Sequence, residues 1–161
     1  MTTTITGATG VNQITDNAIT AAKLPAGSVL QVLSSRLLSA QSTTSTSYVD
    51  TNLSLSITPT AASSKILIQY SFSSVLLSAA SAGASFRIMR GSTSLHTPSV
   101  GHQIYADASQ IYTSFDDMHL DNPSTTSSIT YKIQVRTQNT TSVVVGDVRF
   151  PNTITLMEIA G

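Results

Sequence analysis

His96, His102 and His119 are the only histidines of the chain, and none stands four residues from another. A helical zinc motif needs that spacing to aim two imidazoles at one ion, so separate, hydrogen-bonded or exposed side chains are expected and no resident metal. One histidine per chain could still meet its copies on a threefold axis, but spacing selects none of the three. Asp107, Asp116, Asp117 and Asp121 bring half the acids into one short region. Carboxylates on flexible loops suit calcium, yet the calcium-loop pattern with its obligatory glycine is missing, and turn-forming, solvated aspartates are the expectation.

Nucleophilic and acid–base chemistry find no better footing. Serines abound without a Gly-x-Ser-x-Gly elbow. Glu158 is the only glutamate and has no carboxylate near it in sequence to form a glycosidase pair. Phosphate-cradling glycine loops are missing, and Arg87, Arg90, Lys132, Arg136 and Arg149 are scattered through strands as solvated positions rather than along a nucleic-acid track. No catalytic residue and no cofactor is expected. The one constellation suited to recognition is Tyr105 and Tyr112 with His102 and Gln103, an aromatic platform beside polar groups of the kind that holds sugars on exposed loops. Such tyrosines more often complete a core or a subunit contact with the hydroxyl at its rim.

Strands must position these groups. From residue 28 onward the chain alternates: Leu53, Leu55 and Ile57; Ile66, Ile68, Tyr70 and Phe72 with continuation to Leu77; Phe86 and Ile88; Ile111, Thr113 and Phe115; Ile129, Tyr131, Ile133 and Val135. Every second residue is apolar, the period of a half-buried strand. Val29–Leu38 opens the series, Gln41–Ser47 reads as a hydroxyl-rich loop, Gly91–Ser94 as a tight hairpin, and a short strand is expected around Ile104. Eight to ten short strands with turn signals between them and no βαβ alternation predict an all-β, antiparallel sandwich of jelly-roll type.

The last strand, Thr153 to Ile159, is apolar on both faces: Ile154 and Leu156 point one way, Met157 and Ile159 the other. A sheet with one wet face should not look so. Either a second subunit covers the outer side, making Ile154, Leu156, Met157 and Ile159 the expected interface, or a bulge re-aims Met157.

Totals agree with association. The chain has 161 residues, enough for one domain, but only 10% are charged, against about 25% in an ordinary globular chain. Ser and Thr together supply close to a third, and the formal net charge is zero. Neither nucleic acid nor an anionic membrane surface is favoured by such a balance, whereas self-association is. Cysteine is absent, so no disulfide or thiolate metal site can form. The longest apolar runs are too short to span a bilayer, which predicts a soluble chain.

Residues 1–27 differ in character, rich in Thr, Gly and Ala and free of aromatics. Too little apolar surface is present for an independent core. An extended or short-helical arm, with a helix over Asn17–Leu24 stopped by Pro25–Gly27, would be ordered only against other chains.

Several phrases carry a family resemblance: Ile5-Thr-Gly-Ala-Thr-Gly10, the run Ile14 to Val32, Thr46-Ser-Tyr-Val-Asp50, Ser63-Ser-Lys-Ile-Leu67, Thr130-Tyr-Lys-Ile-Gln-Val-Arg136 and Thr153 to Gly161. Together they resemble fibre or appendage proteins of tailed bacteriophages, especially marine and cyanobacterial ones. The strand series is also similar to the trimeric jelly rolls of the complement C1q and tumour necrosis factor type. The resemblance implies a non-enzymatic structural virion protein, a homotrimeric tail or head fibre assembled in the host cytoplasm. It further implies a division into an attachment arm, residues 1–27, and an outward-facing β-domain, residues 28–161. Ile5, Val11, Ile14, Ile19 and Leu24 would then dock on head, portal or tail components. The Ser78–Ala84 and Leu95–Ala108 loops, with His102, Gln103, Tyr105 and Tyr112, would contact a host-surface glycan. A capsid decoration protein or a glycan-binding module is the alternative.

Overall fold

Ile66, Ile68, Tyr70 and Phe72 are the spine of the molecule, each all but inaccessible to solvent. They alternate along a strand that runs from Lys65 to Leu77, and the computed structural model, which describes residues 23–95, 102–107 and 110–161, builds two antiparallel sheets around it. In chain order the strands are β1 (Val29–Leu37), β2 (Gln41–Thr43), β3 (Val49–Ile57), β4 (Lys65–Leu77), β5 (Gly83–Arg90), β6 (Thr93–Ser94), β7 (His102–Tyr105), β8 (Ile111–Asp121), β9 (Ile129–Thr137), β10 (Val143–Val145) and β11 (Asn152–Ile159). The chain is therefore an all-β sandwich, as alternation predicts.

The first sheet runs β1-β11-β4, with β8 on the free side of β4, and β10 and then β2 beside the far end of β4. The second sheet runs β3-β9-β5, and β5 carries both β6 and β7 on its other edge. The last strand lies in the middle of its sheet, hydrogen-bonded to β1 on one side and β4 on the other. Arg90 and Thr93 pair across the glycine turn that the sequence marks as a hairpin, Gly91 taking a positive φ of 56°.

Between the sheets, Phe86 of β5 stacks on Phe115 of β8 with ring centroids 4.3 Å apart, and Phe72 and Tyr70 close the cluster edge-on or tilted. Leu53, Ile57, Ile88, Ile133, Val135, Ile154 and Leu156 fill the space around it. Each such side chain removed from water stabilises the fold by about 1.5–3 kcal/mol.

Three expectations change. Ile154 and Leu156 belong to this core and are fully buried by the chain's own strands, so neither can face a partner subunit. Gln41–Thr43 is a strand rather than part of a loop; it pairs with Val143–Val145 although its residues have no apolar period. Strand β4 reaches Leu77 but changes face on the way: Ile66 to Phe72 point inward at even numbers, Val75 and Leu77 at odd ones, because the ladder to β8 shifts register between Phe72 and Val75. The docking residues Ile5, Val11, Ile14 and Ile19, and nearly all of the arm's expected helix, lie outside the described residues.

Gly146, between β10 and β11, holds a φ of 82°, and a Cβ there would run into the Ser39 carbonyl and the Asn152 amide. Both the left-handed backbone and the close approach require glycine. Gly146→Ala is expected to lower stability by about 1–3 kcal/mol, read as a shift of the urea midpoint at unchanged slope.

Candidate functional site

The two outer faces of the sandwich differ. On the second sheet the outward side chains form a polar net: Lys132 Nζ donates to Asp50 at 2.7 Å, Gln134 Nε2 to the same carboxylate at 2.5 Å, and Arg87 Nε to Gln134 Oε1 at 2.7 Å. The Arg87 guanidinium lies 4.0 Å from the centre of the Tyr48 ring, and that of Arg136 lies 5.0 Å from it. Hydrogen bonds from Lys132 and then Gln134 hold the Asp50 carboxyl below its ordinary range against a small opposing effect of burial. Water suits this face.

The first sheet presents the opposite chemistry. Register places Val32 of β1, Met157 of β11, Leu67 of β4 and Leu120 of β8 side by side in one row across the outer face. Val32 and Leu120 are each about half exposed, Met157 and Leu67 partly so. Met118 extends the apolar area along β8, and Ile159 with Val29 extends it toward the start of β1. Of the four expected interface residues, Met157 and Ile159 thus face outward, and the band they join also contains Val32, Leu67 and Leu120. Those three lie on strands whose inward residues dominate the sequence signal. No bulge interrupts β11 at Met157, whose pairing with β1 and β4 is regular on both sides.

Farther along the same face, beyond rows containing Thr155, Gln69, Thr153 and Ser71, β8 and the β10–β11 loop enclose an open cleft of about 560 Å³. Tyr112 of β8 and Phe150 of the β10–β11 loop, both in its lining, are exposed by 66% and 51%, an unusual amount of aromatic surface to leave in water. Ser73, Ser74 and Ser114 supply hydroxyls to the same lining. Asp147 organises the loop: its carboxylate accepts from Arg149 N at 2.8 Å, from Nε at 3.0 Å and from Nη2 at 2.8 Å. That bidentate pair, with the backbone bond behind it, holds the Asp147 carboxyl down at about 2 and raises the Arg149 guanidinium above its ordinary value. A second hollow of about 280 Å³, walled by Leu76, Val144 and Val148, adjoins the first at Tyr112 and Arg149.

The expected recognition set is dispersed by comparison. Gln103 and Tyr105 lie on β7 at the edge of the second sheet, joined by a 3.2 Å bond from the Tyr105 hydroxyl to Gln103 Oε1, whereas Tyr112 lies on the first sheet. The backbone of His102 pairs with Phe86, and Leu24 is exposed beside a hollow formed with Leu30 and Ala61 near the start of β1. By sequence Arg149 reads as a solvated strand cation and the residues around it as punctuation. The available signal was Asp-x-Arg-Phe, an Asx-type turn that ends on an aromatic. No protein-family model and no curated protein matches the chain.

Two buried carboxylates brace the frame. Asp121, at the end of β8, receives both of its oxygens' bonds from Arg90 Nη1 at 2.9 Å and a further one from the Tyr131 hydroxyl at 2.7 Å, tying the first sheet to the second. Burial first, and then that bond to Asp121, push the Tyr131 phenol far above its ordinary value. Of the four clustered aspartates, Asp121 is therefore an internal anchor and not a solvated turn residue. Among the described residues no three acids or histidines gather as metal ligands would.

Glu158 is fully buried near the opposite end of the sheet from the cleft. It accepts from Gln31 Nε2 at 2.6 Å and from the amide and hydroxyl of Thr60 at 2.7 and 2.8 Å, so the final strand is pinned to β1 and to the β3–β4 loop. Burial opposes its charge; the donors Ser64, Gln31 and Thr60 outweigh it and leave the carboxyl below its ordinary 4.5, although the Ser64 hydroxyl lies short of ideal geometry. A carboxyl lowered by folding adds stability above its unfolded value and loses it as pH falls through the folded one. Urea titrations should therefore show stability declining below about pH 4.5, and Glu158→Gln should cost about 1–3 kcal/mol at neutral pH while flattening that decline.

Proposed function

We propose that the chain is a non-enzymatic structural virion protein, a trimeric fibre or appendage of a tailed bacteriophage, at the tail or the head. Residues 1–27 dock on the particle and the β-domain faces outward, where it contributes to attachment on the host. The observation that carries the reading is the contrast of outer faces: Tyr48, Asp50, Arg87 and Lys132 on one, Val32, Leu67, Leu120 and Met157 on the other. A sandwich with one wet face and one apolar face is suited to burying the apolar one against copies of itself.

The strand order supports the jelly-roll form of that reading. With β1-β11-β4-β8 opposed to β3-β9-β5-β7, successive long strands cross from sheet to sheet as a doubled Greek key requires. Both β1 and β11 meet at one pole, where Gly27 N donates to Ala160 O and Ala160 N to Ser28 O, each at 2.8 Å, so the arm leaves the domain from that pole. The test is the mass of the folded chain in solution, expected near three times 16.9 kDa, together with the recovery of a chain lacking residues 1–27 on purified particles. A single-chain mass would overturn the trimer, and undiminished incorporation would overturn docking by the arm. The cleft at Tyr112 favours a second reading, a glycan-binding module or capsid decoration, which the same molecule can also satisfy.

A further inference from the structure

We infer that the cleft between β8 and the β10–β11 loop is a binding site for an uncharged oligosaccharide, read by Tyr112, Phe150 and the Asp147–Arg149 pair. The inference deepens the proposed attachment role and rests on it for biological purpose, though its chemistry stands on the cleft alone.

A pyranose ring has two kinds of surface. Its C–H faces are apolar and pack flat on aromatic rings, while its rim of hydroxyls must both donate and accept. Tyr112 and Phe150 both line a space of about 560 Å³, within the range of small-molecule sites, and keep much of their ring surface exposed, with the Arg149 guanidinium 5.5 Å from the centre of the Phe150 ring. Asp147 and Arg149 supply the rim: because the carboxylate already receives two guanidinium nitrogens, the pair is a planar array of donors and acceptors with its charge internally balanced. Ser74 and Ser114 add hydroxyls to the lining.

Charge decides the class of sugar. An acidic saccharide would need a cation without a counter-charge, and here the Arg149 guanidinium is held by Asp147, whose carboxylate would repel a second one. A neutral saccharide meets no such conflict. The adjoining hollow along Leu76, Val144 and Val148 shares Tyr112 and Arg149 with the first, which gives room for a second unit of a chain. Preorganisation is built in: Gly146 admits the sharp entry to the loop, three bonds fix Arg149 to Asp147, and the Ser73 hydroxyl donates to the Pro151 carbonyl. The cleft is also apart from the apolar band, since Leu67 and Ser73 are separated along β4 by roughly 20 Å at the usual rise per residue.

The full chain would be titrated with maltotriose, mannotriose and galactotriose, and with sialyllactose as the charged counterpart, using saturation-transfer NMR and tyrosine fluorescence. At least one neutral trisaccharide should bind, more tightly than sialyllactose. Tyr112→Ala and Phe150→Ala should each weaken it roughly tenfold with an unchanged melting temperature. Tyr105→Ala, on the other sheet, should leave it intact. No binding by any neutral trisaccharide, preference for sialyllactose, or full binding by Tyr112→Ala would overturn the inference. Mass measured on the same samples keeps the two readings apart: a trimer that binds no sugar sinks the site and spares the assembly, and a monomer that binds sinks the assembly and spares the site.

Discussion

Met157→Lys is expected to leave the domain folded while reducing the mass of the proposed trimer in solution from about three chains to one. In the isolated domain the side chain stands on the outer face between Val32 and Leu67, partly open to solvent, so a lysine can run its methylenes over its neighbours and carry the ammonium out to water. Surface changes of that kind shift stability by about 0.5 kcal/mol or less. Between packed subunits the same ammonium has no exit, and an unpaired buried charge costs several kcal/mol, enough to dissociate a contact built on apolar area. Sedimentation equilibrium on wild type and mutant, with a thermal melt of each, checks both halves. A mutant that still trimerises would place Met157 outside the interface, and Leu120→Asp on β8 then tests whether the apolar band is used at all.

Asp121→Ala should act in the reverse sense and damage the fold itself, by about 3–5 kcal/mol. The Arg90 guanidinium, whose side chain is 28% exposed, would lose its only carboxylate among the described residues, and the fully buried Tyr131 hydroxyl would lose its acceptor. Removing one member of such a set leaves the others desolvated and unpaired, a larger loss than the bonds were worth when made. Asp121→Asn keeps the shape and one acceptor, and a smaller loss of about 2 kcal/mol is expected. Tyr131→Phe deletes donor and bond together and should cost about 1 kcal/mol. Urea denaturation of the three variants gives this order; equal losses for Ala and Asn would show that shape rather than charge pairing holds the two sheets there.

Where one face of a strand is wet, its residues were legible from sequence. In β3, β4 and β9 the inward positions alternate with polar ones, and Ile57, Ile66, Ile68, Tyr131, Ile133 and Val135 are buried as the period predicts. Alternation fails where both faces are apolar. In β11 it separates Ile154 and Leu156 from Met157 and Ile159 but does not say which pair the chain itself covers, and the core took the first pair. It also fails where tertiary pairing overrides pattern, as in the three hydroxyl-rich or polar residues of β2, which pairs with β10 while the Gln41 side chain bonds the backbone of Asp50 and Asn52 in β3. The inversion of faces in β4 had no stronger signal than the consecutive Ser73 and Ser74. The cleft has no signature in the sequence for a different reason. Tyr112 and Phe150 are separated by β9 and β10, and only the placement of β10 beside β4 brings the loop next to β8.

The central position of β11 bears on how the protein comes to be folded. Strand β4 cannot complete its sheet until β11 exists, and β1 has no partner in that sheet without it. Until β11 pairs, the edge of β4 and its inward row Ile66, Ile68, Tyr70 and Phe72 stay open, a surface prone to wrong pairings. Loop closure over so long a separation places folding in the slow range typical of sandwiches, milliseconds to seconds. Sheet completion also finishes the Val32–Met157–Leu67–Leu120 row, so the apolar band of the outer face exists only once β11 is in place between β1 and β4.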